Sequence, residues 1–151
     1  MAGQRWVEQF DPRIADGCLA TNDSAGGLSA LLGMRLEQFE AGYLRASLDV
    51  RPEFLTPFGN LHGGTIAALV DHVLGSVLYP HMGKGQWAAT TEFKLNYLSP
   101  VTGGVLVAEA RIMNMTRRIA VVRVEVENEA RVVAAAQGTV MIVDPRPKTD
   151  R

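Results

Sequence analysis

A short segment of the chain, residues 55–71, sets a histidine, two glycines and one acid in an order that suits carbonyl chemistry. His62, Gly63 and Gly64 follow a turn that contains proline and glycine, and Asp71 comes eight residues after Gly63. The first backbone N–H groups of a helix have no partner within the helix, and glycine has no Cβ to shield them. Such groups bind an oxyanion or a polarised carbonyl, and a carboxylate can attack that carbonyl or activate water. This segment is therefore the candidate catalytic site.

The acid in this segment stands alone. Asp71 is the only Asp or Glu between Glu53 and Glu92. At helical spacing it falls on the flank of an apolar stripe, on a face that carries the small residues Gly64, Ala67, Ala68 and Gly75. Two interpretations of Asp71 stay open. It is either a solvated polar residue beside small residues that only pack, or a reactive carboxylate on a face that a ligand or a second backbone approaches closely.

Apolar side chains recur at helical spacing after the glycines and predict one helix with a single apolar face. They are Ile66, Leu69, Val70, Val73, Leu74, Val77 and Leu78. Pro80 is expected to end this helix, and residues 81–85 are expected to form the loop that follows it.

The length of this helix links the chemistry to the number of subunits. Eight residues of helix span about 12 Å, so one carbonyl group cannot touch Gly63 and Asp71 of the same chain. If both act on one bond, two copies of the helix must run antiparallel, and each site takes its N–H donor from one chain and its carboxylate from the other. A twofold dimer supplies that arrangement. We therefore expect a homodimer, which pairs again into a tetramer.

The rest of the chain is organised as strands around this helix. Short links and alternating apolar and polar residues favour an antiparallel sheet with one wet face and one face covered by the helix. The predicted fold class is α+β, with a long antiparallel sheet wrapped around one central helix. The predicted strands, the first two forming a hairpin around residues 40–42, are 34–39, 43–50, 92–97, 104–112, 119–127 and 131–143.

Composition limits the classes of function. The chain has 151 residues, is 47% hydrophobic and carries a net charge of −1, which indicates one globular domain with no basic field for nucleic acid. No apolar run reaches the roughly 18 residues that span a membrane. The single Cys18 excludes an internal disulfide and favours a reducing cytoplasm, where a structural role for this thiol is expected. Residues 1–32 are predicted to be a helical and loop lead-in, 33–144 the domain and 145–151 a polar tail.

Other polar residues are weaker candidates. His62, Asp71, His72 and His81 do not follow a known ligand spacing, and adjacent residues of a helix do not face each other. No metal site is therefore predicted. Asn60 lies inside the turn before the histidine, where it is expected to form the turn and to border the substrate.

Taken in order, these residues resemble a known family. The sequence G-x-x-H-G-G followed by a helix acid, here Gly59, His62, Gly63, Gly64 and Asp71, is similar to hotdog-fold acyl-CoA thioesterases of the phenylacetate-pathway (PaaI-like) type. The strand that ends in residues 96–100, followed by Gly104 and alternating strands, extends the resemblance from about residue 33 to 143.

The resemblance implies a role for each matching residue. Asp71 would act as nucleophile or general base, the Gly63 N–H would polarise the thioester carbonyl, and His62 would orient the carbonyl or the water. Thr90, on the strand after the helix, would assist the carboxylate of its own subunit. Thr56 stands where many relatives carry Asn or Gln, and its hydroxyl can still form hydrogen bonds.

The resemblance also implies a substrate. Gly64 and Asn60 would border the thioester, and Arg117 and Arg118, at a turn between two strands, would lie near the phosphates of CoA, unless they are an ordinary charged hairpin. The expected reaction is hydrolysis of a small or medium acyl-CoA, with no cofactor because CoA belongs to the substrate. Two alternatives stay open: a hotdog acyl-thioester hydratase or dehydratase, and a non-catalytic acyl-CoA-binding module.

Overall fold

The computed structural model describes residues 5–24 and 26–145. These residues form a lead-in of short helices, an antiparallel sheet and one long helix. The helices are α1 (Arg5–Glu8), α2 (Pro12–Ala20), α3 (Gly27–Leu32) and α4 (Gly63–Ser76). The strands are β1 (Met34–Glu40), β2 (Tyr43–Asp49), β3 (Trp87–Tyr97), β4 (Val105–Met115), β5 (Ile119–Asn128) and β6 (Arg131–Val143).

The sheet is antiparallel throughout and has the strand order β1-β2-β4-β5-β6-β3. Alternation in the sequence fixes which face of each strand is buried. In β5, for example, every second side chain is fully covered, namely Ala120, Val122, Val124 and Val126. All six predicted strands and the hairpin between β1 and β2 are present, although the bounds of some strands differ.

Helix α4 covers the buried face of this sheet. Its apolar side chains Leu69, Val70, Val73 and Leu74 are completely inaccessible to solvent. The helix contacts β2, β3, β4, β5 and β6, so the sheet curves around it. Burial of a Val or Leu side chain stabilises the fold by roughly 1.5–3 kcal/mol, so this contact contributes substantially to the stability of the domain. The α+β prediction is confirmed.

The end of α4 differs from the prediction. The helix ends at Ser76, and Pro80 lies in a separate one-turn 3₁₀ helix, Tyr79–His81. Because proline has no N–H and crowds the preceding turn, the chain tightens to i→i+3 bonds, such as Leu78 N–H to Gly75 O. The predicted loop of residues 81–85 follows one residue later, because His81 is the last residue of this 3₁₀ helix and its side chain is only 4% exposed.

His81 joins three distant parts of the chain. Its Nε2 accepts from the Gly42 N–H at 3.0 Å, and its Nδ1 lies 2.8 Å from the Trp6 carbonyl oxygen. A backbone N–H only donates, so the Nδ1 carries the proton and donates to Trp6 O. The Trp6 ring covers Gly42 so closely that a Cβ there would lie 2.5 Å from the ring. Helix α1 is thereby fixed to the domain.

Strand β3 begins at Trp87, five residues before the predicted start. It pairs with β6 along one side and lies at the end of the strand order, so its other side is a free edge within the described chain. A β-bulge interrupts its pairing between Thr90 and Glu92.

The described residues before β1 form short helices. They are α1, α2, a 3₁₀ turn and α3, with Pro12 at the first position of α2 and Asp11 as its cap. Of the predicted polar tail, residues 146–151 lie outside the described residues. Among the described helices, none combines the length and the apolar character needed to cross a membrane.

Candidate functional site

His62 caps the N-terminus of α4. Its Nδ1 accepts a hydrogen bond of 2.8 Å from the Gly64 N–H, and its own N–H donates to Phe54 O. Because a backbone N–H can only donate, Nδ1 carries no proton in the neutral ring and Nε2 does. The exposed imidazole therefore presents an Nε2–H donor at the positive end of the helix dipole.

The two glycines that follow His62 are not equivalent. The sequence suggested that both N–H groups are unpaired, but the Gly64 N–H is bonded to His62. The Gly63 N–H takes part in none of the hydrogen bonds formed among the described residues. The Gly63 N–H is thus a backbone donor that remains available to an oxyanion at the start of α4.

Tyr97 is a residue of this region that the sequence did not single out. It ends β3, and its hydroxyl donates to Gly63 O at 2.9 Å. A Cβ at Gly63 would lie 2.9 Å from the Tyr97 Cζ, so any larger residue here requires the ring to move. Tyr97 thereby fastens the first turn of α4 to the sheet. A tyrosine at a strand end gives no sign in the sequence that its partner lies 34 residues away.

Asp71 lines a groove of about 790 Å³ between α4 and the first half of β3. Thr90 of the same chain lines this groove as well. The Asp71 carboxylate is exposed, and none of the hydrogen bonds or ion pairs among the described residues uses it. It is thus a free carboxylate with a hydroxyl nearby in an open groove. The remaining lining residues are His72, Gly75, Ser76, Tyr79, Ala88, Thr91, Glu92 and Phe93.

The β-bulge explains why so much of β3 faces this groove. Successive residues of a regular strand point to opposite faces, yet Thr90, Thr91 and Glu92 all line it. The register shift between Thr90 and Glu92 re-aims these side chains. The sequence alternation did not reveal the bulge.

His72 borders the same groove as Asp71. Both residues also line a smaller cavity beside α3. Burial lowers the pKa of His72, and the neighbouring Asp71 charge opposes this in part. His72 therefore favours the neutral form.

The helix start and the acid lie at separate places in one chain. Gly63 and Asp71 both belong to α4, which separates them by about 12 Å. Neither His62 nor Gly63 lines the groove of Asp71. A single chain therefore does not bring the donor and the carboxylate to one bond.

Thr56 and Asn60 close the loop before the helix. The Thr56 N–H donates to Asn60 O at 2.7 Å, and the Thr56 hydroxyl accepts from the Phe58 N–H at 3.3 Å. Leu55 and Leu61 pair at the base of this loop. Phe58 at its tip is 91% exposed. The Thr56 hydroxyl is therefore engaged as an acceptor, with its proton still available to a ligand.

Arg117 and Arg118 lie at the turn between β4 and β5, and both are exposed. Arg117 lines a second cavity of about 580 Å³, together with Arg5, whereas Arg118 is not among its lining residues. This cavity shares no residue with the groove of Asp71.

The described residues contain no group of three or more His, Cys, Asp or Glu side chains that could hold a metal ion. His62, His72 and His81 lie in different surroundings: a helix cap, the groove and the buried contact with Trp6.

Comparison with known proteins places this geometry in context. A family model described as "Thioesterase superfamily" matches residues 58–135. The proofreading thioesterase EntH of Klebsiella pneumoniae is 34% identical over 96 residues, which cover 63% of this chain and 69% of EntH. The medium/long-chain acyl-CoA thioesterase YigI of Escherichia coli is 28% identical over 127 residues, covering 74% and 82% of the two chains.

A solved structure supports the same relationship. A point mutant of the phenylacetic acid degradation protein PaaI from Thermus thermophilus superposes with a TM-score of 0.68 and 29% identity, covering 75% of this chain and 96% of that one. The predicted hotdog arrangement and the resemblance to PaaI-like proteins are confirmed.

Proposed function

We propose that this chain, which belongs to the thioesterase superfamily, hydrolyses a small or medium acyl-CoA thioester to the free acid and CoA. The activities for which EntH and YigI are named support thioester hydrolysis and an acyl-CoA substrate. The proposal rests on one observation: α4 carries two groups that have no hydrogen-bond partner among the described residues. They are the Gly63 N–H at the start of the helix and the Asp71 carboxylate, which lies in a groove.

In the proposed site, the thioester carbonyl oxygen accepts hydrogen bonds from the Gly63 N–H and the His62 Nε2–H of one copy. Both donors belong to residues at the start of α4, where the positive end of the helix dipole favours the negative charge that develops on this oxygen. Tyr97 keeps the first turn in place through its bond to Gly63 O.

The carboxylate of Asp71 from the second copy supplies the base or the nucleophile. As a base it takes a proton from water, whose oxygen bonds to the carbonyl carbon. The tetrahedral oxyanion then collapses, the C–S bond breaks and CoA leaves as a thiolate that accepts a proton. As a nucleophile the Asp71 carboxylate bonds to the carbonyl carbon, and the C–S bond breaks to release the CoA thiolate and leave an anhydride. Water then hydrolyses this anhydride to the free acid and the Asp71 carboxylate. Thr90 of the same chain would hydrogen-bond the carboxylate, and the chemistry requires no cofactor beyond the CoA in the substrate.

This mechanism requires two copies, and we propose a homodimer in which the two α4 helices run antiparallel across a twofold axis, with further pairing into a tetramer. The separation of Gly63 from Asp71 supports it, as does the free edge of β3 next to the groove in the described chain. A long unpaired strand edge is a surface on which a second strand can add. The single Cys18 and the reaction proposed here favour a cytoplasmic location.

The reaction is tested by measuring free thiol with a chromogenic reagent across a panel of acyl-CoA thioesters. The expected result is turnover of at least one small or medium acyl-CoA. Hydration of an enoyl-CoA without thiol release would indicate a hydratase instead, and tight binding without turnover would indicate a binding module.

The shared site is tested by complementation. Asp71→Asn and Gly63→Val are each expected to be nearly inactive, and a mixed dimer of the two contains one intact site out of two. With random pairing, about one quarter of the wild-type activity per chain should return. If each site lay within one chain, co-expression would restore nothing.

A further inference from the structure

Asp71 borders two spaces that differ in their chemistry. One is the groove of about 790 Å³ between α4 and β3, and the other is a cavity of about 270 Å³ between α3 and α4. His72 lines both spaces as well, so they adjoin at this turn of α4. A group held at the Asp71 carboxylate can therefore extend into either space. The cavity is lined by Leu28, Ser29, Met34, Ala68, Asp71 and His72.

The groove is the more polar of the two spaces. Besides Asp71, its lining includes the hydroxyl residues Ser76 and Thr90 and the acid Glu92. Hydroxyl and carboxylate groups bind water, and an apolar chain that covered them would leave them without hydrogen-bond partners, which is unfavourable. The groove therefore suits the water that Asp71 would activate.

The cavity offers apolar walls instead. Leu28, Met34 and Ala68 line it from α3, β1 and α4. Asp71 is its only charged lining residue in the described chain, since burial lowers the pKa of His72 and favours the neutral ring. Transfer of an apolar group from water to such walls is favourable. The cavity therefore suits the apolar part of a substrate.

Helical spacing sets the carboxylate between these two spaces. Ala68 lies one turn before Asp71 on the same side of α4, because residues three apart are neighbours on a helix surface. Gly75 lies one turn after Asp71 and lines the groove. The small side chain of Ala68 leaves room in the cavity that a larger residue would fill.

The outer wall of the cavity is fixed before a ligand arrives. Asn22, ahead of α3, bonds through its side chain to the N–H and the carbonyl oxygen of Leu36, each at 2.8 Å. At the other end of α3, the Arg51 guanidinium donates to Leu31 O at 2.6 Å. A wall that is already ordered lowers the cost of binding. Leu28 is 60% exposed on this wall, so a ligand that covers it gains from its burial.

We propose that the cavity between α3 and α4 binds the acyl group of the substrate, and that Leu28 and Ala68 set the acyl length that the protein accepts. This inference rests on the proposed function and deepens it: water occupies the groove on one side of Asp71, and the acyl group occupies the cavity on the other. At about 30 Å³ for each water-sized group, a volume of 270 Å³ holds an apolar acyl group of about nine heavy atoms.

Calorimetry with S-alkyl-CoA thioethers tests the cavity without turnover, because a thioether has no carbonyl to hydrolyse. The wild type is expected to bind more tightly as the alkyl group lengthens from ethyl to octyl, by up to about fourfold for each methylene. No further gain is expected at dodecyl, which exceeds the cavity. Affinity that does not depend on alkyl length would overturn the inference.

Two variants test the walls of the cavity. Leu28→Ala is expected to bind the octyl compound at least about fivefold more weakly, with a smaller loss for the ethyl compound. Ala68→Leu fills the cavity from α4 and should shift the tightest binding to a shorter alkyl group. Leu31→Ala is the matched control for Leu28→Ala, since Leu31 lies on the same helix, is 69% exposed and does not line the cavity. An equal loss in this control would contradict the assignment.

Kinetics separate a failure of this inference from a failure of the proposed function. The kcat/KM for acyl-CoA thioesters should follow the same order of chain length, and Leu28→Ala should lower it more for octanoyl-CoA than for acetyl-CoA. Turnover that does not depend on acyl length would overturn the inference and leave the proposed function standing. Length-dependent binding of the thioethers without hydrolysis of any thioester would contradict the proposed function and leave the acyl cavity standing.

Discussion

Replacement of Gly63 by alanine tests the start of the central helix most directly. A Cβ at this position would lie 2.9 Å from the Tyr97 Cζ, 3.0 Å from its Oη and 3.2 Å from its Cε1. The first of these is about 0.5 Å short of the 3.4 Å at which ordinary contact begins. Tyr97 is 54% exposed, so the ring can swing into solvent, but it then loses its bond to Gly63 O.

The expected loss of stability is small. The lost hydrogen bond costs about 1 kcal/mol, and alanine recovers up to about 1 kcal/mol relative to glycine in a helix. The expected loss of activity is large, because displacement of the first turn misplaces the Gly63 N–H. Loss of one oxyanion donor costs about 3 kcal/mol of transition-state stabilisation, which is roughly a 10²-fold fall in kcat.

A double-mutant cycle with Tyr97→Ala tests whether the fall in kcat arises from the contact between the new Cβ and the Tyr97 ring. If the alanine Cβ acts through the tyrosine ring, Gly63→Ala should cost little more in a Tyr97→Ala background, so the two effects should be strongly non-additive. The assay is kcat on one acyl-CoA for the four proteins of the cycle, with melting temperatures measured in parallel. Gly17→Ala, in the open face of α2 with nothing within 4 Å of the new Cβ, is the control for a glycine replacement in a helix. Additive losses across the cycle would refute the argument.

Three further results are expected. Asp71→Asn should leave the melting temperature unchanged and lower kcat by about 10² to 10⁴-fold, while Thr90→Val should cost less; a folded Asp71→Asn protein with wild-type kcat would exclude Asp71 from the chemistry. Light scattering should show a dimer or tetramer at assay concentration, and an active monomer would contradict the shared site. Burial lowers the pKa of His81 below its ordinary 6.5, so the folded state favours the neutral ring. The stability that neutral His81 contributes is complete above pH 6.5 and is lost as the pH falls through the lowered pKa. Urea midpoints should therefore drop less steeply on acidification in His81→Gln than in the wild type, although His72, whose pKa is also lowered, keeps part of the slope.

The fold could be predicted from the sequence wherever one periodic pattern governs a whole element. The alternation in β2 and β5 and the helical spacing from Ile66 to Leu74 reflect burial on one side, which local sequence records directly. The first half of β3 was missed because residues 87–91 do not alternate and a bulge follows Thr90. The end of α4 was placed too late because the tightening before Pro80 begins four residues ahead of it.

The candidate site residues could also be identified from the sequence, but the groups to which they are hydrogen-bonded could not. The order of His62, Gly63 and Asp71 is a local signal, and α4 begins at Gly63, where the sequence predicted the start of a helix. The bond that occupies the Gly64 N–H depends on the rotamer of His62, which no spacing reveals. Tyr97 acts on a carbonyl 34 residues away. Contacts of this kind arise from the packing of β3 against α4, so they appear only once the fold is assembled.

Bonding at the start of α4 also explains how one helix can serve two purposes. His62 satisfies the Gly64 N–H, and Tyr97 holds Gly63 through its carbonyl, so the first turn is rigid although its remaining N–H is left open. Eight residues later the same helix carries an exposed carboxylate, while the neighbouring residues Leu69, Val70 and Val73 are fully buried. The buried face fixes the helix against the sheet, and the two groups proposed to act on the thioester therefore belong to one rigid element. In a twofold pair that rigidity would set the distance between donor and carboxylate at both sites at once, which is why a substitution at either end should affect turnover more than folding.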